Sequence, residues 1–177
     1  MQYAAFLLGI NVGSRTVKMA DLKALMQREG YTNVSTVLAS GNVVFCAPKQ
    51  KPEVLAKKLE GLYEKKFGFA IGVIVRTMAE IEAMLAAEPF KKVKMTKDIR
   101  RYVTFRAEAG RGPAPKSTHE GYSILKAGQR ETYSVLDLST FAKTPDVMKL
   151  LGKTYGKKIT TRNWNTIEKI AALADAS

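Results

Sequence analysis

Between residues 3 and 76 the apolar residues switch repeatedly between short dense runs and helical spacing, and the order of the switches admits few folds. Tyr3 to Gly9 is a dense apolar run ending in a Gly/Asn loop, the pattern of a strand buried on both faces. Met19, Leu22, Leu25 and Met26 then recur at helical spacing, with Gly30 as the stop. Val34 to Leu38 and Val43 to Ala47 read as strands joined by Ala39-Ser40-Gly41-Asn42, a hairpin signal. Pro52 opens a second helix with Leu55, Leu59 and Leu62 on one face, and Gly68 closes it. Ile71 to Arg76 is the next strand.

The resulting order is β-α-β-β-α-β, that of the ferredoxin-like arrangement. The remainder is less regular. Thr77 and Glu80 form a capping box ahead of Ile81, Met84 and Leu85, and Pro89 ends that helix. Tyr102 to Phe105 reads as a strand, and Tyr122–Lys126 with Thr132–Leu136 as a hairpin around Ala127-Gly128. The stretch from Ala107 to Glu120, with Gly110, Gly112, Pro113 and Pro115, is the best candidate for a mobile loop. Thr144-Pro145 is expected to start a helix through Val147, Met148 and Leu151, and Asn165 with Glu168 to cap a last one burying Ile167, Ile170, Ala171 and Leu173. No sequence identity between the two halves is visible. A chain of 177 residues suits one generous domain or two small, intimately packed halves.

Charge narrows the partners. There are 29 Lys and Arg against 16 Asp and Glu, a net charge of +13 and a pI near 9.8. Such an excess concentrates polyanions near the surface, or simply keeps the chain soluble. Within residues 91–106, Lys91, Lys92, Lys94, Lys97, Arg100, Arg101 and Arg106 face only Asp98, a net charge of +6 in a connector. The single cysteine, Cys46, sits in the apolar run Val43–Ala47, which suits a buried inert thiol. With one Cys and one His, a Cys/His zinc site is excluded, and no metal or cofactor is expected. His119 lacks a plausible nucleophile partner, and the carboxylates are scattered, so no catalytic signature emerges. No basic residue precedes the apolar run at Ala4–Ile10, no cleavage signature follows it, and no stretch has membrane-spanning length; the chain reads as cytoplasmic, with no membrane partner.

Three polar stretches are not explained by core packing. Gly9-Ile10-Asn11-Val12-Gly13-Ser14-Arg15 leaves a buried strand and leads toward a helix, where backbone N–H groups can cradle an anion. Asn11 tolerates a left-handed conformation and Arg15 can fork onto a phosphate or carboxylate. Against that, the loop is neither a dinucleotide fingerprint nor a Walker loop, and Asp21 already meets the dipole of the helix that follows. A tight structural turn explains it as well. Ser40-Gly41-Asn42 is the second stretch. The third, Thr160-Thr161-Arg162-Asn163-Trp164-Asn165-Thr166, contains the only tryptophan; Asn165 as cap and Trp164 as a staple account for two of its residues, leaving Thr161, Arg162 and Asn163 as donors. Gly152-Lys153-Thr154 imitates the end of a Walker motif but follows a helix, and Val147 stands where the first glycine is required.

The pieces Tyr3–Gly13, Lys18–Leu22, Ser40–Phe45 and Thr160–Thr166 together resemble the family called domain of unknown function 1697. The resemblance implies a bacterial, cytoplasmic α+β protein of two ferredoxin-like halves, here residues 1–77 and 78–177, the second degenerate, packed as one globular unit. It implies no activity and transfers no catalytic residue. The chain departs from the usual pattern at Leu8, where arginine is expected, and at Ser14, where glycine is common.

Three functions remain open from sequence. In the first, Asn11, Arg15, Ser40, Asn42, Arg162, Asn163, Trp164 and Asn165 converge between the halves on a small phosphate- or carboxylate-bearing ligand. In the second, Lys91, Lys92, Lys94, Lys97, Arg100 and Arg101 bind nucleic acid, although the paired stacking aromatics of an RNA-recognition strand are absent. In the third the domain is structural or oligomerising. The oligomeric state is not legible.

Overall fold

Buried apolar side chains at Tyr3, Ala5 and Leu7 commit the first strand to a central position, with a neighbour on each side. The structure, a computed structural model, describes residues 1–13, 15–110, 121–140 and 147–175. His119, Ser14, the Thr144-Pro145 helix start and most of the Gly/Pro-rich loop lie outside the described residues. The described chain divides into two compact units, Met1–Ala83 with Glu168–Ser177, and Met84–Ile167.

The first unit holds β1 (Gln2–Leu7), α1 (Met19–Arg28), β2 (Thr32–Val37), β3 (Asn42–Cys46), α2 (Pro52–Phe67) and β4 (Val73–Thr77). Its antiparallel sheet runs β2-β3-β1-β4, the ferredoxin-like order. Leu22, Leu25 and Met26 of α1 and Leu55, Leu59 and Tyr63 of α2 bury one sheet face together with Val43, Phe45, Val73 and Val75. Pro52 occupies the first turn of α2, and Gly68 ends it at φ 78°, a left-handed conformation that favours glycine. Leu38, expected to close a strand, instead lies in the turn at φ 59°.

α3 (Met78–Ala86) begins at the expected capping box: Thr77 N–H donates to Glu80 Oε2 at 2.7 Å and Glu80 N–H to Thr77 Oγ1 at 3.2 Å.

The second unit carries β5 (Ile99–Arg106), β6 (Tyr122–Ala127), β7 (Glu131–Asp137), α4 (Val147–Tyr155) and β8 (Ile159–Asn163), which leads into α5 (Trp164–Asp175). Its sheet runs β6-β7-β5-β8, the same order as the first when the strands are counted from β5. The fold is therefore mixed α+β with two four-stranded antiparallel sheets. Tyr122, Leu136, Leu151 and Ile159 form a small core against which Tyr102, Ile124 and Tyr155 pack. Two expectations are corrected here. The basic "connector" ends at Asp98, because Arg100, Arg101 and Arg106 belong to β5. The last polar stretch is largely strand β8, paired with β5 from Tyr102↔Asn163 to Arg106↔Ile159. Among the described residues no helix is long and apolar enough to cross a membrane.

Candidate functional site

The first two polar stretches meet in the first unit. Gly9, Asn11 and Gly13 all adopt positive φ, as the loop's composition predicts. Asn11 is spent on this loop: its Nδ2 donates to Ala39 O at 2.5 Å and Val17 O at 3.3 Å, and its Oδ1 accepts from Val17 N at 2.9 Å. Leu7 N–H donates to Gly41 O at 2.8 Å, binding the loop root to the hairpin turn. Asn42 is buried, and its Nδ2 donates to Val37 O at 2.7 Å and Ser40 Oγ at 3.0 Å. Arg15 is exposed, with its guanidinium 5.9 Å from the Phe69 ring centroid. Leu8, where an arginine was expected, rests over Gly72.

The third stretch lies in the second unit. Arg162 is buried on β8; its Nη1 donates to Thr160 Oγ1 at 2.6 Å and Thr161 O at 3.0 Å. Burial disfavours its charge and lowers the pKa to about 10. Trp164 is buried edge-on against Phe90 at 5.1 Å and Tyr133 at 6.0 Å. It is the first residue of α5 and so no staple preceding the cap. The cap is Asn163, whose Oδ1 accepts from Asn165 N at 3.1 Å. Asn165, expected to cap, instead uses its side-chain oxygen to accept from Arg101 Nη2 at 2.9 Å. The two candidate sets thus touch at this pair. Lys91, Lys92, Lys94 and Lys97 are exposed ahead of β5, and Arg100 folds back, its Nη1 donating to Lys97 O at 2.6 Å.

A site that the sequence did not point to opens at the far end of β5. A cavity of about 430 Å³ is lined by Arg106, Glu108, Ala109, Gly110, Thr154, Tyr155, Gly156, Lys157 and Lys158. Its volume falls in the range of small-molecule sites. Arg106 is only 4% exposed, yet it lines this space. Its guanidinium carbon sits 4.4 Å from the Tyr155 ring centroid, and its Nη2 donates to Gly128 O. A Cβ at Gly110 would come within 2.7 Å of Arg106 Nη1, so a side chain there would press on the end of the guanidinium. Ring and carbonyl together hold the arginine.

The backbone frames the same space. Ala107 N–H donates to Lys158 O at 3.0 Å, and Gly110 N–H to Gln129 O at 2.9 Å. Gly156, at φ 78°, closes α4 by donating to Gly152 O at 3.0 Å. The rim carries Lys157 and Lys158, the latter 3.1 Å from Glu108 Oε1 in an exposed ion pair that contributes little stability. The C-terminal end of α4 adds about half a negative charge. Three cations against Glu108 outweigh it, so the lining formed by the described residues is net positive. Among the described residues no cluster of His, Cys, Asp or Glu is arranged to hold a metal ion.

The sequence profile of a family described as "Protein of unknown function (DUF1697)" matches residues 1–133. The chain belongs to the DUF1697 family. The match spans the Gly9–Arg15 loop, the Ser40–Asn42 turn, β5 and Arg106, and ends before α4 and the third polar stretch. Among solved structures, this DUF1697 chain is similar to the conserved bacterial protein SP0830 from Streptococcus pneumoniae: TM-score 0.76, 23% identity, 98% of each chain covered. At that identity the likeness shows the fold. No curated protein matches the chain.

Proposed function

We propose that this protein binds a small anionic molecule, bearing a phosphate or a carboxylate, in the cavity beside Arg106. One observation carries the reading: a nearly buried guanidinium, held by a ring face and a carbonyl, lines a cavity of ligand size whose rim adds two lysines. A fixed arginine fork suits oxyanions, because its hydrogen-bonding geometry is set before the ligand arrives. The engagement of the Asn11 and Asn42 amides with backbone carbonyls supports loop closure as their work. Calorimetric titration with inorganic phosphate and with acetate tests the reading. Saturable heat that is lost in Arg106→Met and reduced in Lys157→Ala supports it. Lys157 is exposed, so its substitution leaves the fold intact. No heat with any anion, or heat unchanged in both variants, removes it.

A second reading, nucleic-acid binding, is favoured by the division of charge. Residues 84–167 hold 17 Lys and Arg against 7 Asp and Glu, so the second unit carries +10 of the net +13. Exposed Lys91, Lys92, Lys94 and Lys97 contribute four of those cations. Affinity for an oligonucleotide that falls steeply with salt, and falls further in Lys92→Glu/Lys94→Glu, supports this reading; affinity indifferent to both discards it.

A further inference from the structure

Resting on the cavity reading above, we infer that its ligand is a phosphomonoester, a terminal phosphate dianion on a small organic body, and not a carboxylate or a bridging phosphodiester. The charge of the lining selects for it. Among the described lining residues, Arg106, Lys157 and Lys158 against Glu108 leave two positive charges, or about one and a half once the carbonyl end of α4 is counted. A phosphomonoester carries about −1.5 to −2 near neutral pH. A phosphodiester or a simple carboxylate carries one charge and leaves a cation over. Geometry agrees with charge. Arg106, Thr154 and the two lysines are four donor-bearing side chains around one space, which the three terminal oxygens of a phosphomonoester can engage together.

Size sets the rest of the ligand. The cavity, about 430 Å³, is far larger than a bare phosphate, so it has room for the carbon body that bears one. The Tyr155 ring gives one face to Arg106, which leaves the anionic group anchored at the arginine end. Ala109, Gly110 and Gly156 offer small or side-chain-less surface for the remainder.

Binding selected by ligand charge carries a pH signature. Among the described residues, the charged and titratable groups lining the cavity are Arg106, Glu108, Tyr155, Lys157 and Lys158. The second ionisation of a phosphomonoester, with a pKa of about 6, belongs to the ligand and has no counterpart in a diester. Preference for the monoester should therefore weaken as pH falls through that value.

The test compares methyl phosphate, dimethyl phosphate and acetate by calorimetry on the full chain at pH 7.5 and pH 5, at constant ionic strength. The inference predicts that methyl phosphate binds at least about tenfold tighter than the other two at pH 7.5, the scale of one additional partly screened charge contact. It predicts that the advantage collapses at pH 5. Lys157→Ala should reduce the preference while the chain stays folded. Equal affinity for all three, or a preference unmoved by pH, overturns the inference and leaves the broader anion reading standing. Failure of all three to bind overturns both. A 5′-phosphorylated trinucleotide and its unphosphorylated twin separate the two sources of a terminal phosphate. Binding of the first in excess of methyl phosphate points to a strand end, binding below it to a free metabolite, and equal binding of the twins contradicts a terminal-phosphate site.

Discussion

Arg101 and Asn165 are 64 residues apart in sequence, yet Arg101 Nη2 donates to Asn165 Oδ1 at 2.9 Å. The same guanidinium lies 5.8 Å from the Phe90 ring centroid, and Phe90 in turn meets Trp164 at the head of α5. Strand β5 and the start of α5 are thereby tied by a polar contact at the margin of an aromatic cluster. The contact also explains why Asn165 does not cap: its oxygen is engaged by an arginine, and Asn163, one residue ahead of the helix, takes the capping role.

That division of labour predicts unequal costs. Asn163→Ala removes the cap of α5 and should lower stability by about 1 kcal/mol. Asn165→Ala removes an exposed hydrogen bond to a cation and should cost about 0.5 kcal/mol or less. Denaturant midpoints of the two variants check the ranking; the reverse order would return the cap to Asn165.

Gly41 and Gly9 both sit at positive φ, 75° and 61°, but in different surroundings. A Cβ at Gly41 would fall 2.5 Å from Ile10 Cδ1 and 2.9 Å from Leu7 Cβ, whereas one at Gly9 would meet nothing within 4 Å. Gly9→Ala should therefore cost only the backbone strain, about 1–2 kcal/mol. Gly41→Ala should cost that plus overpacking of the loop against the hairpin, about 1–3 kcal/mol more. Thermal unfolding of both variants measures the gap, and equal melting temperatures would mean that loop and turn are not packed together.

The tyrosines predict the alkaline limit of the fold. Burial raises the Tyr63 pKa well above its ordinary value, and raises those of Tyr31, Tyr102 and Tyr122 as well. Tyr63 is fully buried, and its hydroxyl donates to Met26 Sδ at 3.1 Å. A phenol whose pKa is higher folded than unfolded binds more protons in the folded state above pH ~10, so stability from these residues is complete below that pH and is lost as pH rises past it. Tyrosinate absorbance should appear in two stages, the half-buried Tyr31 and Tyr102 first and Tyr63 only together with unfolding. A single ordinary titration with the circular dichroism unchanged would contradict the packing around Tyr63.

The contrast between what was and was not legible in the sequence follows from how each residue is buried. β1 through β4 could be read because apolar period and terminators agreed: Gly30 ends α1, Pro52 starts α2 and Gly68 ends it. β8 could not. Ile159-Thr160-Thr161-Arg162-Asn163 has one apolar residue, and its inward positions Thr160 and Arg162 satisfy each other by a hydrogen bond where hydrophobic residues would ordinarily sit. Arg106 was equally opaque. At the end of a basic run it resembles a solvated cation, and only the return of Tyr155 and Gly128 in the folded chain reveals a buried, oriented guanidinium. The polar loop at Asn11 was legible as a special backbone and less so as an internal tie, because the carbonyl it grips, that of Ala39, comes from the hairpin turn.

Trp164 illustrates the same point for experiment. It is buried between Phe90 and Tyr133 and does not line the cavity, so its emission should be blue-shifted and resistant to iodide quenching. It should change little when phosphate is added. Strong quenching by iodide in the native protein would show that the aromatic cluster is open to solvent.

The measurement that bears most directly on the anion-binding account is an amide NMR titration of the full chain with inorganic phosphate. The account predicts saturable shifts concentrated at Arg106–Gly110 and Thr154–Lys158, absent in Arg106→Met and weakened in Lys157→Ala. Shifts confined to residues 9–15 and 40–42, or none at any concentration, would contradict it.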